Sequence, residues 1–261
     1  MSKMISTNDL AEFLNRKFPP SSIEAWDNVG FSYFVDKKIK NVLIAIDLTN
    51  EIVDYAIKNS FDFILTYHTF FFEKISLKDT FKKYSYKQKI YKKLKKHQIS
   101  AFSVHTNFDH LINTSVKQMI EKLGYEGNLI AIDNFNAILE LKKPIKFNNI
   151  VNDYKNIFFL NSLQTNLYDN KTIKNITFLP GSAGIDNILK SIRTKKTDLY
   201  ITSDLKWSEQ ITLNERKVNF LLVSHLVEQH ILDYFQKIIY KKFNNQLKIE
   251  IKFLQEILIN L

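Results

Sequence analysis

The chain reads as an α/β protein built from two similar halves, and three observations predict this. The first is a strand–helix–strand unit over residues 41–68, NVLIAIDLTNEIVDYAIKNSFDFILTYH. The second is a fainter copy over residues 175–204, in which Asp198-Leu-Tyr-Ile-Thr-Ser-Asp204 follows the pattern of Asp62-Phe-Ile-Leu-Thr-Tyr-His68. The third lies downstream of each copy. Apolar runs at 99–104 and 218–223 reach His105 and His225, followed at short range by Asp109 and Glu228. Two matches in the same order favour an internal duplication over a chance likeness between βαβ units. The expected halves are residues 1–125 and 126–261.

In the first unit, Val42 to Ile46 form a short apolar run, as a strand buried on both faces requires. Thr49 offers an N-cap hydroxyl, Glu51 places negative charge in the first turn, and Ile52, Val53, Ala56 and Ile57 recur at helical spacing. Phe63 to Leu65 make the second strand, which ends at Tyr67-His68, where an open α/β sheet usually presents its chemistry. Before this unit, residues 7–17 predict an amphipathic helix capped by Ser6 or Thr7 and stopped by Pro19-Pro20. Residues 21–30, SSIEAWDNVG, form a connection with turn chemistry, and residues 31–35 a short strand.

After His68 comes an aromatic segment, TFFFEK, read as core rather than pocket wall. Residues 81–97 predict one helix with eight lysines between Lys82 and Lys96 and a stripe of Ile90, Tyr91 and Leu94. A solvated face explains those lysines better than a phosphate-binding track. Residues 113–123 are a helix closed by Gly124. Residues 129–132 and 137–141 read as strands, Pro144 breaks the pattern, and residues 146–154 read as a helix. In the second half, Pro180-Gly-Ser-Ala-Gly184 lies between a strand and a helix. Its small residues allow close backbone approach, and the helix beyond could receive an anion, although neither a dinucleotide fingerprint nor a Walker loop is present. Residues 207–216 and 226–243 predict helices, and residues 247–253 a closing strand.

Composition narrows the function. There are no cysteines, which excludes disulfides and thiolate metal sites. No run of about 18 apolar residues spans a membrane, and the N-terminal stretch lacks the apolar segment of a secretory signal. A cytoplasmic protein is the expectation. The net charge of +10 raises nucleic-acid binding. However, a diffuse basic surface without a binding motif is weak evidence, and Lys, Asn, Ile, Phe and Tyr are the residues AT-rich codons supply.

Three of the six histidines, His68, His105 and His225, directly follow apolar strands. Imidazole with carboxylate suits Zn²⁺, Mn²⁺ or Fe²⁺ better than Mg²⁺ or Ca²⁺. A strand-end histidine is also a common structural residue, so the spacing alone leaves ligand and structural roles open. No nucleophile elbow accompanies Ser182 or Ser224.

The ordered motifs W-D-N-x-G (Trp26, Asp27, Asn28, Gly30), I-A-I-D (Ile44 to Asp47), T-x-H (Thr66, His68), H-T-N-x-D (His105, Thr106, Asn107, Asp109), P-G-S-A-G, T-S-D-L-K and S-H-x-x-E resemble the GTP cyclohydrolase 1 type 2 family, also called Nif3-like. They cover nearly the whole chain and match the short form, without an inserted middle domain. The resemblance implies a Nif3-like fold with mixed sheets and a ring-shaped homohexamer. It also implies two divalent ions (Zn, Fe or Mn) per subunit, held by His68, Asp109, His225 and Glu228. His105 would stand beside the metals as a proton shuttle. The implied activity is hydrolysis of a nucleotide or related small molecule by metal-activated water, and the alternative is a non-catalytic metal-binding scaffold. Two departures stand out. Tyr67 occupies the position of a usual second histidine, which bears on one of the two metals. The acid Glu228 falls three residues after His225, where many members place it at four.

Overall fold

The computed structural model describes residues 4–111, 113–161, 163–244 and 246–257. In chain order the first elements are α1 (Thr7–Lys17), β1 (Gly30–Tyr33), β2 (Asn41–Ala45), α2 (Asn50–Lys58), β3 (Phe63–Thr66), α3 (Leu77–Lys83), α4 (Ser85–His97), β4 (Ser100–Ser103) and α5 (Thr106–Asp109). Next come α6 (Thr114–Leu123), β5 (Gly127–Ala131), β6 (Ala137–Lys146), α7 (Phe147–Phe158), β7 (Gln164–Thr165) and β8 (Thr172–Phe178). The chain continues through α8 (Gly184–Ile192), β9 (Leu199–Thr202), α9 (Trp207–Glu215), β10 (Phe220–Leu222), a 3₁₀ helix at His225–Ile231, α10 (Leu232–Phe243) and β11 (Lys248–Ile251).

These elements form two compact units, Met1–His110 with Leu232–Leu254, and Leu111–Ile231 with Gln255–Leu261. In the first unit the sheet order is β1-β4-β3-β2-β11. β2, β3, β4 and β11 run parallel, and β1 is antiparallel at the edge. In the second unit the order is β5-β6-β8-β9-β10-β7. There β8, β9 and β10 are parallel, with β7 antiparallel on β10 and the β5–β6 hairpin antiparallel on β8.

The run β1-β4-β3-β2 is therefore repeated as β7-β10-β9-β8, with the same pairing senses. The local hydrogen bonding repeats as well. Asp62 Oδ2 accepts from the backbone N–H groups of Lys40 (2.8 Å) and Asn41 (3.1 Å). Asp198 Oδ2 accepts from those of Lys174 and Asn175, each at 2.9 Å. Each aspartate ties the start of one strand to the start of the next, so both βαβ units close in the same register.

The units differ in what covers the edge beside the first parallel strand. A bare edge presents unpaired backbone groups that other chains can join. In the first unit β11 covers β2, with Lys248 N–H donating to Lys40 O at 2.8 Å. In the second, β6 covers β8. Residues 232–254 belong to the first unit with β11, and residues from Leu111 on belong to the second, where Val116, Met119 and Leu123 of α6 pack in its core.

Further differences from the sequence reading have local causes. The lysine helix is two helices, because Tyr84 leaves helical geometry (φ −128°, ψ 78°) and Ser76 caps a separate α3. Its lysines are mostly exposed, except Lys87, which is buried and donates to Phe70 O at 2.5 Å. Strand β6 runs through Pro144, which sits within a register shift between Glu140 and Ile145, where no ladder N–H is required of it. The expected helix over 226–243 begins as a 3₁₀ helix and becomes α-helical only at Leu232.

Each unit has its own core. In the first, Leu43, Ala45, Ile52, Val53, Ile64, Ile90, Leu94 and Ala101 pack α2 and α4 on the sheet. Phe18, Phe108 and Phe235 form a second apolar centre, with ring centroids 5.2–5.8 Å apart. In the second unit, Ile150 and Tyr154 of α7 and Val116 and Met119 of α6 pack against Leu139, Ile176, Leu199 and Leu221.

Candidate functional site

The H-T-N-x-D segment assigns a task to every residue it spans. β4 ends at Ser103, and His105 sits outside helical geometry at the N-terminus of the single-turn α5. The His105 carbonyl accepts from Phe108 N–H (2.8 Å) and Asp109 N–H (3.3 Å), so one tight turn brings Asp109 back towards the strand ends. Asn107 accepts from His105 N–H at 2.8 Å and donates to Phe18 O at 2.9 Å. Phe108 enters the aromatic centre with Phe18 and Phe235.

Thr106 is held by Asp27, a fully buried carboxylate from the W-D-N-x-G turn. Asp27 accepts from Thr106 N–H (3.1 Å), Thr106 Oγ1 (2.6 Å) and Asn28 N–H (2.7 Å). His105 Nδ1 lies 3.1 Å from Asp27 Oδ1, the same oxygen that accepts from Asn28 N–H. Burial by itself would raise the Asp27 carboxyl, but His105 first, then Thr106 and Asn28, outweigh it and hold Asp27 well below the usual carboxylate range. Asp27 is thus an ionised anchor that orients His105 from 78 residues away in sequence. Sequence reading assigned it only a turn, and its place in the W-D-N-x-G motif is the signal that could have identified it.

His105 is flanked by Trp26 and Phe72, whose rings meet it edge-on at 5.6 and 6.0 Å. The TFFFEK segment therefore divides its work: Phe70 is buried, while Phe72 is exposed beside His105.

His68 follows β3, and Thr66 Oγ1 donates to its carbonyl at 2.9 Å. Its Nδ1 is 2.9 Å from Asp47 Oδ1, the aspartate that ends the I-A-I-D strand. Next to it, the buried Tyr67 donates its hydroxyl to both oxygens of Asp109, each at 2.8 Å. The first unit thus brings Tyr67 to Asp109, Asp47 to His68 and Asp27 to His105.

The second unit repeats the theme. His225 Nδ1 is 2.6 Å from Asp204 Oδ2, and Nε2 is 3.0 Å from Glu228 Oε2. A 3₁₀ helix has three residues per turn, so residues i and i+3 eclipse one another. This is the physical reason an acid at three residues, rather than four, faces His225: the segment is 3₁₀, not α. Glu228 is buried, and Gly181 leaves room for it. Gly181 has φ +64°, and a Cβ there would fall 3.1 Å from Glu228 Oε1. The close approach expected of the P-G-S-A-G loop is therefore made to the His225–Glu228 pair. The start of α8 already faces a carboxylate, since Ile185 N–H donates to Glu209 Oε1 at 3.4 Å. Beside Asp204 lies an open cleft of about 440 Å³ lined by residues including Ser182, Ser203, Lys206 and Gln210.

His225 and Glu228 belong to a His/Glu donor group that could hold a metal ion. Their separation suits two ligands of one ion with bonds of about 2.0–2.2 Å. A carboxylate on Nδ1 of His225, and of His68, fixes the tautomer that ligates through Nε2 and raises its basicity, the usual support of a metal-bound imidazole. The donor set therefore fits a divalent transition ion.

The sequence matches the Duf34/NIF3 family (NGG1p interacting factor 3) over residues 5–257. A GTP cyclohydrolase 1 type 2 homolog of Ureaplasma parvum serovar 3 is 30% identical over 262 aligned positions, covering 94% of each chain. Another, of Mycoplasmopsis pulmonis, is 28% identical over 234 positions, covering 88% of this chain and 91% of that one. Among solved structures, a Bacillus cereus protein related to NIF3 has a TM-score of 0.86 with 100% of both chains covered and 14% identity, a likeness of fold. Among the described residues no helix is long and apolar enough to cross a membrane.

Proposed function

Because the chain belongs to the Duf34/NIF3 family, we propose that it is a divalent-metal-dependent hydrolase acting on a nucleotide or related small molecule. One observation carries this reading. Each of the three strand-end histidines, His68, His105 and His225, keeps Nδ1 within 2.6–3.1 Å of an aspartate oxygen. Structural histidines need no such repeated pairing, whereas metal-ligating and proton-transferring ones do.

The ligands in this reading are His68, Asp109, His225 and Glu228. Imidazole and carboxylate together favour Zn, Fe or Mn. When bound, such an ion lowers the pKa of a coordinated water towards neutrality. Asp47 and Asp204 hold the ligating imidazoles in one tautomer. His105, oriented by Asp27, moves a proton between water and leaving group. Lys206 and the serines of the second unit's cleft receive the polar part of the substrate. The name carried by the relatives, GTP cyclohydrolase 1 type 2 homolog, supports a purine nucleotide as the first substrate to test. A cytoplasmic, ring-shaped homohexamer completes the proposal, and solution mass tests the assembly.

Elemental analysis of untagged protein is the direct test, paired with nucleotide turnover followed by chromatography. Bound Zn, Fe or Mn should be present and should disappear in the His68→Ala/Asp109→Ala and His225→Ala variants. A native protein that neither carries nor takes up metal ends the hydrolase reading. Tyr67 favours a second reading, a non-catalytic metal-binding scaffold. Metal-loaded protein that turns over no nucleotide would select it.

A further inference from the structure

We propose that Trp26 and Phe72 form a stacking site for the planar heteroaromatic ring of the substrate, with His105 Nε2 meeting the N–H edge of that ring. The inference rests on the hydrolase reading above and deepens it: the ring of the nucleotide, rather than its phosphates, lies against the proton-transferring histidine.

Four aromatic rings meet the His105 imidazole edge-on. Those of Tyr67 and His68 stand at centroid distances of 5.2 and 5.5 Å, and those of Trp26 and Phe72 at 5.6 and 6.0 Å. Tyr67 is buried, whereas Trp26 is 54% and Phe72 43% exposed. The His105 side chain itself is only 12% exposed. A recessed polar group is therefore flanked by two rings that still face water. A few convergent polar atoms among aromatic walls are the usual make-up of a small-molecule site.

The two exposed rings are also held in advance. They come from separate segments, residues 25–28 and 70–74, which are cross-linked twice. Lys74 Nζ donates to Ala25 O at 2.6 Å, and Asn28 Nδ2 donates to Phe71 O at 3.1 Å. The buried Lys87 adds a third tie: its Nζ donates to Phe70 O at 2.5 Å and lies over the Phe72 ring, 5.8 Å from the centroid. Walls fixed before binding spare the ligand the cost of ordering them.

The same neighbours select the ligand. Nδ1 of His105 faces the ionised Asp27 at 3.1 Å, so the neutral ring carries its proton there and presents a lone pair at Nε2. Nε2 has no hydrogen-bond partner among the described residues. It suits a ring that offers an N–H group, as guanine does. The Lys87 ammonium beside Phe72 repels a cationic ring, so a neutral, electron-rich heterocycle fits best.

The test titrates guanosine, GMP and ribose 5-phosphate into wild type and the Trp26→Leu, Trp26→Phe, Phe72→Leu and Phe72→Tyr variants, followed by calorimetry. Both side chains are exposed, so these variants should fold. Stacking on one ring changes affinity by about 10-fold or more. Each leucine variant should therefore bind guanosine and GMP about 10-fold more weakly, and the aromatic replacements should restore most of that loss. Ribose 5-phosphate, which lacks the ring, should bind at least about 10-fold more weakly than GMP. In Trp207→Phe protein, where Trp26 is the one tryptophan left, guanosine should quench the emission. Undiminished binding by the leucine variants, a loss shared by Trp26→Phe and Phe72→Tyr, equal affinity for ribose 5-phosphate and GMP, an unquenched Trp26, or no binding of guanosine and GMP would each overturn the proposal. Ring binding without nucleotide turnover would end the hydrolase reading and leave the stacking site. Turnover with KM unchanged in both leucine variants would do the reverse.

Discussion

Replacing Asp27 by asparagine should destabilise the protein by about 3 kcal/mol and release His105 from its fixed orientation. Asp27 is fully buried, and it accepts from Thr106 N–H, Thr106 Oγ1 and Asn28 N–H at 3.1, 2.6 and 2.7 Å. Hydrogen bonds to a charged group contribute about 1.5–3 kcal/mol each, but bonds sharing one acceptor do not add. Breaking a buried charge pair costs about 3–5 kcal/mol, which sets the upper limit. Asparagine keeps the volume and one acceptor oxygen, so the loss should fall at the lower end. Its NH₂ group would face a donor that the carboxylate now accepts from.

The pH dependence gives a second readout of the same substitution. The folded Asp27 carboxyl is held well below its ordinary value, mainly by His105 and Thr106 acting against burial. A depressed carboxyl contributes stability that is complete above the unfolded value of about 3.9 and is lost as pH falls through the folded one. The gap between wild type and Asp27→Asn should therefore narrow as pH falls below about 4. Urea unfolding across that range measures both. A loss under about 1 kcal/mol, the size of an ordinary neutral hydrogen bond, or a gap that stays constant in acid, would refute the role assigned to Asp27.

Three further outcomes are expected. Asp204→Asn leaves His225 and Glu228 in place but removes the carboxylate from Nδ1, so metal affinity measured by calorimetry should fall about 10–100-fold. Gly181→Ala forces a side chain into φ +64° with its Cβ 3.1 Å from Glu228 Oε1. It should cost about 1–2 kcal/mol in thermal unfolding and weaken metal binding as Glu228 shifts. Asp62 is lowered by the Lys40 and Asn41 amides and by Lys37, against a burial effect that raises it. Asp62→Asn should cost about 1–2 kcal/mol at neutral pH, and that difference should fade as pH drops below about 4.

Much of the fold could be read from residue patterns, because buried parallel strands and amphipathic helices impose local spacing. The apolar runs before His68, His105 and His225, the Thr49 cap and the Gly124 stop all express short-range physics, and all appear where that physics places them. The duplication was legible for the same reason: Asp62 and Asp198 open equivalent strands, and each must bridge to the strand before it.

Local pattern does not encode which distant group meets a side chain at a strand end. Nothing near His105 in sequence announces Asp27, and nothing in T-Y-H announces that the Tyr67 hydroxyl will rest on both oxygens of Asp109. Pattern also misjudged the segment after His225, since 3₁₀ and α turns share the same apolar residues and differ only in how tightly the backbone closes. The return of β11 to β2 was likewise decided by a bare sheet edge that needed a partner, a demand that exists only once the sheet has formed. The amino-acid order by itself determined the elements, their repetition and the residue types offered to a metal. Only the tertiary structure decided which aspartate steadies each histidine and that the Tyr67 hydroxyl meets Asp109, because those contacts join residues that local spacing cannot relate.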